Sequence, residues 1–258
     1  MWPFNKKEEP AVPQTAKTLI YIPGTWESYE QFRDTIIVST EGKYMMMGDI
    51  LMNAENNTHF NLEFLTPDPD MARSFSRAGL VNGLSEAFID KIAQHNYVVA
   101  LSADTGHKEA AKNIANAAAV VLRTGGIGVK IDSTGLAFDK DTWLEMMDNY
   151  ENHHLYRLYV LDCIVDSEND SVYTCGMHNV GLRDAIVEGH DPQEAIDLLR
   201  IFGVYQVEES PVLQHGQTFQ AALEAPVYRI FEEEEQPYEK NDLFYNPYGR
   251  WRLVKVEE

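Results

Sequence analysis

The stretch "VVALSADTGHKEAA", residues 98–111, decides the fold, because its centre admits two readings. Asp104-Thr105-Gly106 is the triplet that carries the catalytic aspartate of two-aspartate proteases, and "KIDSTG" at 130–135 offers a near echo at Asp132. Such enzymes need two triplets facing each other across a cleft between all-β lobes, so that two carboxyls share one proton. The echo is interrupted by Ser133, and the residues after Gly106, "HKEAAKNIANAAAVVLR", are rich in strong helix formers. The triplet therefore reads as the end of a strand and the start of a helix. Ser102, Asp104 or Thr105 is expected to accept from the free N–H groups of that helix, with acidic charge at the positive end of its dipole. Ser102, Thr105 and Gly106 would also suit a phosphate. However, no Gly-x-x-x-x-Gly-Lys-Ser/Thr loop accompanies them, and "GGIG" at 125–128 leads into a strand as a C-cap and turn, so neither nucleotide fingerprint is met.

Before this strand and helix, "TLIYI" (18–22), closed by Pro23-Gly24, reads as a buried strand. Thr25 is placed to cap a helix with Trp26, Tyr29, Phe32, Ile36 and Ile37 on one face. "KYMMMGDILM" and "THFNLEFL" read as strands, and "DPDMARSFSRAGLVNGLSEAFIDKIAQ" as a helix broken near Asn82-Gly83. After the Ala-rich helix come a strand "GIGVKID", a helix "DTWLEMMDNY" capped by Asp141 and strands "LYRLYVLDCIV" and "SVYTCGM". A helix opened by Pro192 and two last strands near "QTFQAAL" and "VYRIFEE" complete the order. The pattern predicts an α/β (α+β) fold of two ferredoxin-like βαββαβ halves, able to share one mixed or antiparallel sheet with helices on one face. Its divisions are a mobile tail over 1–16, halves over 17–104 and 105–231, and an acidic-aromatic tail over 232–258 that packs back on the body.

Composition narrows the function. With 41 acidic against 21 basic residues the formal net charge is −20, which repels phosphate backbones and anionic lipid surfaces, so direct nucleic-acid and membrane binding are not expected. The excess serves solubility or a face that meets a basic partner. Cys163 and Cys175 are too few for a disulfide framework, no Cys/His cluster has zinc spacing, and no cofactor motif is present, so a cytoplasmic protein without metal or cofactor is expected. "MWPFNKKEEPAVPQTAK" lacks a signal-peptide core, although Trp2 and Phe4 could form a small docking element.

Two clusters remain as sites. Cys175 and His178, three residues apart and followed by Asp184 at a turn, could supply a nucleophile and base or metal ligands, although a lone Cys ending an apolar strand also reads as a small buried hydrophobe. The run Glu232, Glu233, Glu234 and Glu235 reads as solvated carboxylates or as bait for a basic protein. Beside it, Tyr238, Phe244, Tyr245, Tyr248 and Trp251 could anchor that partner. His153 and His154 suit a surface loop better than a chelate.

Residues 96–231 resemble an uncharacterised bacterial domain family of unknown function. Gly125, Gly126, Ser133, Gly135 and Trp143 carry the resemblance, with Gly176, Gly181, Leu182, Asp184, Val187, Asp191, Gly216 and Thr218 further on. Arg183-Asp184 stands where the family pattern has a proline-acid pair. The resemblance implies an architecture and no chemistry. Physically, Gly176 and Gly181 bracket a tight loop needing positive φ or close backbone approach, and Trp143 fills the core beneath the Gly135 turn. The leading expectation is a non-enzymatic protein that occludes a basic protein partner, most sharply an immunity protein against a delivered toxin. The alternatives are a hydrolase around Cys175, His178 and Asp184, or an effector-loading adaptor or chaperone.

Overall fold

A computed structural model describes residues 15–256 and places their strands in two sheets of an α+β fold. Trp2 and Phe4 lie outside the described residues. Alternating burial in "KTLIYIPG" makes β1 (Lys17–Gly24), which pairs along its whole length with β5 (Tyr97–Asp104) from Lys17 opposite Asp104 to Gly24 opposite Tyr97. Between them run α1 (Tyr29–Ser39), β2 (Tyr44–Met47), β3 (Ile50–Asn53), β4 (Thr58–Leu65), α2 (Met71–Ala78) and α3 (Glu86–Ile92). Then follow α4 (Lys108–Arg123), β6 (Gly128–Ile131) and β7 (Leu136–Asp139), which complete a seven-stranded antiparallel sheet ordered β2-β3-β4-β5-β1-β6-β7.

Period-two alternation sends the two faces of this sheet to different partners. Ile20, Ile22, Val99 and Leu101 pack with Phe32 and Ile36 of α1 and the alanine-rich face of α4, whereas Tyr21, Val98 and Ala137 meet Met71, Phe75 and Phe88 of α2 and α3. The ferredoxin-like plan is not what forms. A split βαβ unit sets the strands flanking each helix parallel with one strand between them, but β4 and β5, joined through α2 and α3, are direct antiparallel neighbours. The sheet boundary also falls after β7, beyond the division drawn at 104/105, because β6 finds its partner in β1.

The chain continues through α5 (Lys140–Asp148), α6 (His153–Tyr159), β8 (Leu161–Asp166), β9 (Ser171–Cys175), a 3₁₀ turn (Met177–Val180) and β10 (Asp184–Glu188). It ends with α7 (Pro192–Glu209), β11 (Thr218–Gln220), β12 (Val227–Glu233) and β13 (Arg250–Lys255). The second sheet is ordered β11-β12-β13-β10-β9-β8, with β10 and β13 parallel. Its core of Val172, Ala185, Val187, Trp251 and Leu253 meets Ala195, Leu199 and Phe202 of α7. The end of the acidic-aromatic tail is thus a central strand. Residues 155–159, expected as the start of a strand, are helical, since Leu155, Tyr156, Leu158 and Tyr159 are all buried and the Tyr159 hydroxyl donates to the Ala111 carbonyl of α4 at 2.8 Å. His153 and His154 open this helix instead of a loop.

The opening triplet joins the two sheets. Thr105 is buried with its hydroxyl 2.9 Å from that of Thr18, and Gly106 donates its N–H to the Asn179 carbonyl at 3.1 Å. Because Gly106 turns the chain at φ +96°, the helix starts later than expected, and its cap is His107, whose Nδ1 accepts from the Ala110 N–H at 3.2 Å, not Ser102, Asp104 or Thr105. Two further caps shift: Ser28 replaces Thr25 at α1, which starts later, and Asp139 replaces Asp141 at α5, which starts earlier. Trp143 is fully buried, donating to the Ala115 carbonyl.

Candidate interaction face on the second sheet

Strands β9, β10, β12 and β13 turn one set of side chains to α7 and the other to the opposite face. That second set comprises Tyr173, Asp184, Ile186, Glu188, Glu233, Arg250 and Arg252, whose register puts Asp184 beside Arg250, Ile186 beside Arg252 and Glu233 beside Arg250. Among the described residues no helix covers this face. Its outer part carries an ion-pair chain: Arg250 Nη2 lies 2.5 Å from Glu233 Oε1, Arg252 Nε donates to the other oxygen of Glu233, and Arg252 Nη1 meets Glu188 Oε2 at 2.7 Å. Above it lies a cavity of about 380 Å³ whose lining includes Asp166, Ser171, Glu188, Glu235, Gln236 and Arg252.

The inner part of the face is closed by the connection between β12 and β13. Residues 234–249 form a strap tied down by Asn246, whose Nδ2 donates to Asp184 Oδ2 at 2.6 Å and to the Leu182 carbonyl at 3.0 Å. Gln236 grips the Asn246 backbone in both directions at 2.9 Å, and the rings of Tyr238 and Phe244 pack 5.4 Å apart. Beneath the strap, Asp184 Oδ1 accepts from the Thr174 hydroxyl at 3.1 Å and the Met177 N–H at 3.2 Å. Burial raises the Asp184 carboxyl to about 6, against the opposing pull of these donors and of Arg250.

The three residues expected to form a reactive cluster are divided. Cys175 and Asp184 share the space under the strap, where Cys175 Sγ donates to the Phe244 carbonyl at 3.8 Å and burial together with the Asp184 charge pushes its thiol upward. A nucleophilic thiol needs the opposite shift. His178 belongs to the junction between the sheets: it is buried, Asn179 Nδ2 lies 3.3 Å from its Nε2, its Nδ1 has no partner, and burial lowers it to about 4. Among the described hydrogen bonds none links Cys175, His178 and Asp184 into a relay. Asp184 lies in β10, not at a turn. Gly176 and Gly181 both take positive φ, and a Cβ on Gly181 would stand 2.1 Å from the Gly106 carbonyl oxygen.

The acidic run is largely engaged within the chain. Arg183 reaches Glu232 at 3.4 Å and Glu234 at 3.5 Å, Glu233 is held by Arg250 and Arg252, and Glu235 borders the cavity. The aromatic residues beside it secure the strap and core: Tyr238 and Phe244 cover Cys175, Tyr245 is half-buried, and the Tyr248 hydroxyl donates to the Gly106 carbonyl at 3.4 Å. Trp251 is 5% exposed, beneath the Arg183 guanidinium, so it is a core residue and not a free anchor. Sequence reading missed Asp166, Glu188, Arg250 and Arg252. The Arg-x-Arg spacing at 250 and 252 was the available signal, since in a strand it puts both guanidiniums on one face.

No curated protein and no solved structure matches the chain. A family match does fall on the segment that builds this face, from β9 through the strap to the start of β13. It overlaps the resemblance read from the sequence over 173–231, leaves out 96–172 and takes in 232–251. Residues 173–251 match the model of an uncharacterised family described as Domain of unknown function (DUF4261).

Proposed function

We propose that this chain is a non-catalytic binding protein that occludes a basic protein partner, and that the partner sits on the open face of the second sheet. One observation carries the reading: carboxylates of Asp166, Glu188 and Glu235 border a solvent-open cavity, while Cys175 and Asp184 are sealed under the strap. The net charge of −20 supports it, because opposite charge speeds encounter and discourages wrong partners. Its sharpest form is a cytoplasmic protein that neutralises a delivered basic toxin. An adaptor or chaperone for a basic effector uses the same face.

Calorimetric titration with a short poly-L-lysine at low and high salt tests the placement. Saturable, salt-sensitive binding that weakens in an Asp166→Asn/Glu235→Gln variant supports it. If a Glu86→Gln/Asp90→Asn variant, with the same charge removed from exposed positions of α3, weakens binding as much, the face is not the site. Restored growth of cells expressing a toxic basic partner alongside this chain would favour the neutralising form.

A further inference from the structure

Resting on the reading of this face as the seat of a basic partner, we infer that the partner adds to the second sheet as an extra strand along β8. The added segment is extended, with apolar residues alternating with Lys or Arg. β8 is the last strand of its sheet and pairs only with β9, so one side of its backbone is open among the described residues. Such an edge is a template for another strand unless it is blocked. The other three edges differ. β7 lies against α2 and has its Ala137 carbonyl occupied by Asn82 Nδ2 at 2.8 Å, and β11 spans three residues. β2 is open, but the exposed side chains of the strand itself, Met45 and Met47, carry no charge, and the acids near it, Glu41 and Asp49, lie in the turns at its ends.

The two faces beside β8 have different chemistry, and this sets the pattern of the ligand. Ile164 and Asp166 stand opposite Tyr173 and Ser171, on the face with the acid-rimmed cavity, and the adjoining turn adds exposed Glu168 and Asp170. Val165, opposite Val172, lies on the α7 side and is 48% exposed. In an added strand, successive side chains alternate between these environments, so basic residues face the carboxylates and apolar ones cover Val165. Main-chain hydrogen bonds would supply the affinity and the alternation the specificity.

The test uses the full chain and three synthetic peptides: an alternating Lys-Val peptide and two versions of it N-methylated on only its lysines or only its valines. All N–H groups of one alternate set point to the same neighbour in a strand, so one methylated version should lose binding at least about tenfold while the other keeps it. Amide exchange should slow over residues 161–166, and Val165→Lys should weaken binding more than Val254→Lys, a matching change at another exposed valine of the sheet. Equal binding of both methylated versions, equal binding of a helix-forming Lys-Ala peptide of the same charge, or protection at residues 44–47 overturns strand addition. If those peptides still lose affinity in Asp166→Asn/Glu235→Gln, the basic-partner reading stands without it. If none of the basic peptides binds, both fall.

Discussion

The two sheets treat their polar groups in opposite ways. The first is covered by α1 and α4 on one side and by α2 and α3 on the other, and the polar side chains where it meets the 3₁₀ turn are mainly neutral. There Asn179 Oδ1 accepts from the hydroxyls of Thr18 at 2.5 Å and Ser133 at 3.1 Å, and only the uncharged form of His178 is favoured. The second sheet has α7 on one side and, among the described residues, a strap on the other, and it carries full charges, paired from the buried Arg250–Glu233 contact outward to the half-exposed Arg252–Glu188 one. Coverage explains the contrast: burying an ion costs several kcal/mol unless it is matched, so ions survive where water still reaches. Asp162, Asp184 and Arg250 are buried nonetheless: Asp162 and Arg250 are matched by Arg200 and Glu233, and Asp184 is held by three donors.

The strongest way to break this arrangement is to separate the sheets. Gly181→Val places a Cβ against the Gly106 carbonyl at a positive φ, and should cost at least about 3 kcal/mol, read as a lowered denaturant midpoint for both sheets. A comparable effect on one side only would show that the junction does not couple them.

The next effect is on pH and sharpens the contrast between the buried groups. His178 is depressed in the folded state, so its contribution is full above the unfolded value near 6.5 and is lost as pH falls toward about 4. Asp184 is raised, so its contribution is full below the unfolded value near 3.8 and is lost as pH rises through about 6. Each shift corresponds to roughly 3 kcal/mol, and in the native chain the two slopes oppose. Asp184→Asn should therefore leave a stability that rises from pH 4 to 6.5, and His178→Leu one that falls from pH 4 to 6. Unfolding curves across that range with slopes of the same sign in both variants would refute the assignment.

Asn246→Ala should cost about 1–3 kcal/mol by removing a donor from buried Asp184. Limited proteolysis should then cut first within residues 234–249, while cleavage of the first sheet is unchanged. The smallest effect belongs to Arg252→Gln, at most about 1 kcal/mol because that guanidinium is 36% exposed. Its informative readout is tighter binding of poly-L-lysine, since Glu188 loses its internal partner.

Legibility in the sequence followed the range of the interactions. The strands β1, β4 and β5 and the helices α4 and α7 are written in local alternation or helix-forming composition, and the break between α2 and α3 in Asn82-Gly83. Segment 155–159 reads as strand because it is rich in tyrosine and leucine, but packing on α4 makes it helix. β13 looks like a tail because its partners, β10 and β12, lie across connections that no local pattern records. The same distance hid the site: Glu188, Arg250 and Arg252 become neighbours only when β10 and β13 pair in parallel.

By itself the sequence determined the mixed helix and strand content, the acidic excess, the absence of a protease-like aspartate pair and the need for glycine at 176 and 181, because each rests on local backbone preference or on summed charge. Tertiary structure alone decided that β6 and β7 join the first sheet, that the acidic run is mostly answered by Arg183, Arg250 and Arg252, and that Cys175 and Asp184 lie under a strap while His178 does not. Those outcomes depend on which distant strands pair, and strand pairing is settled by which faces can be covered together.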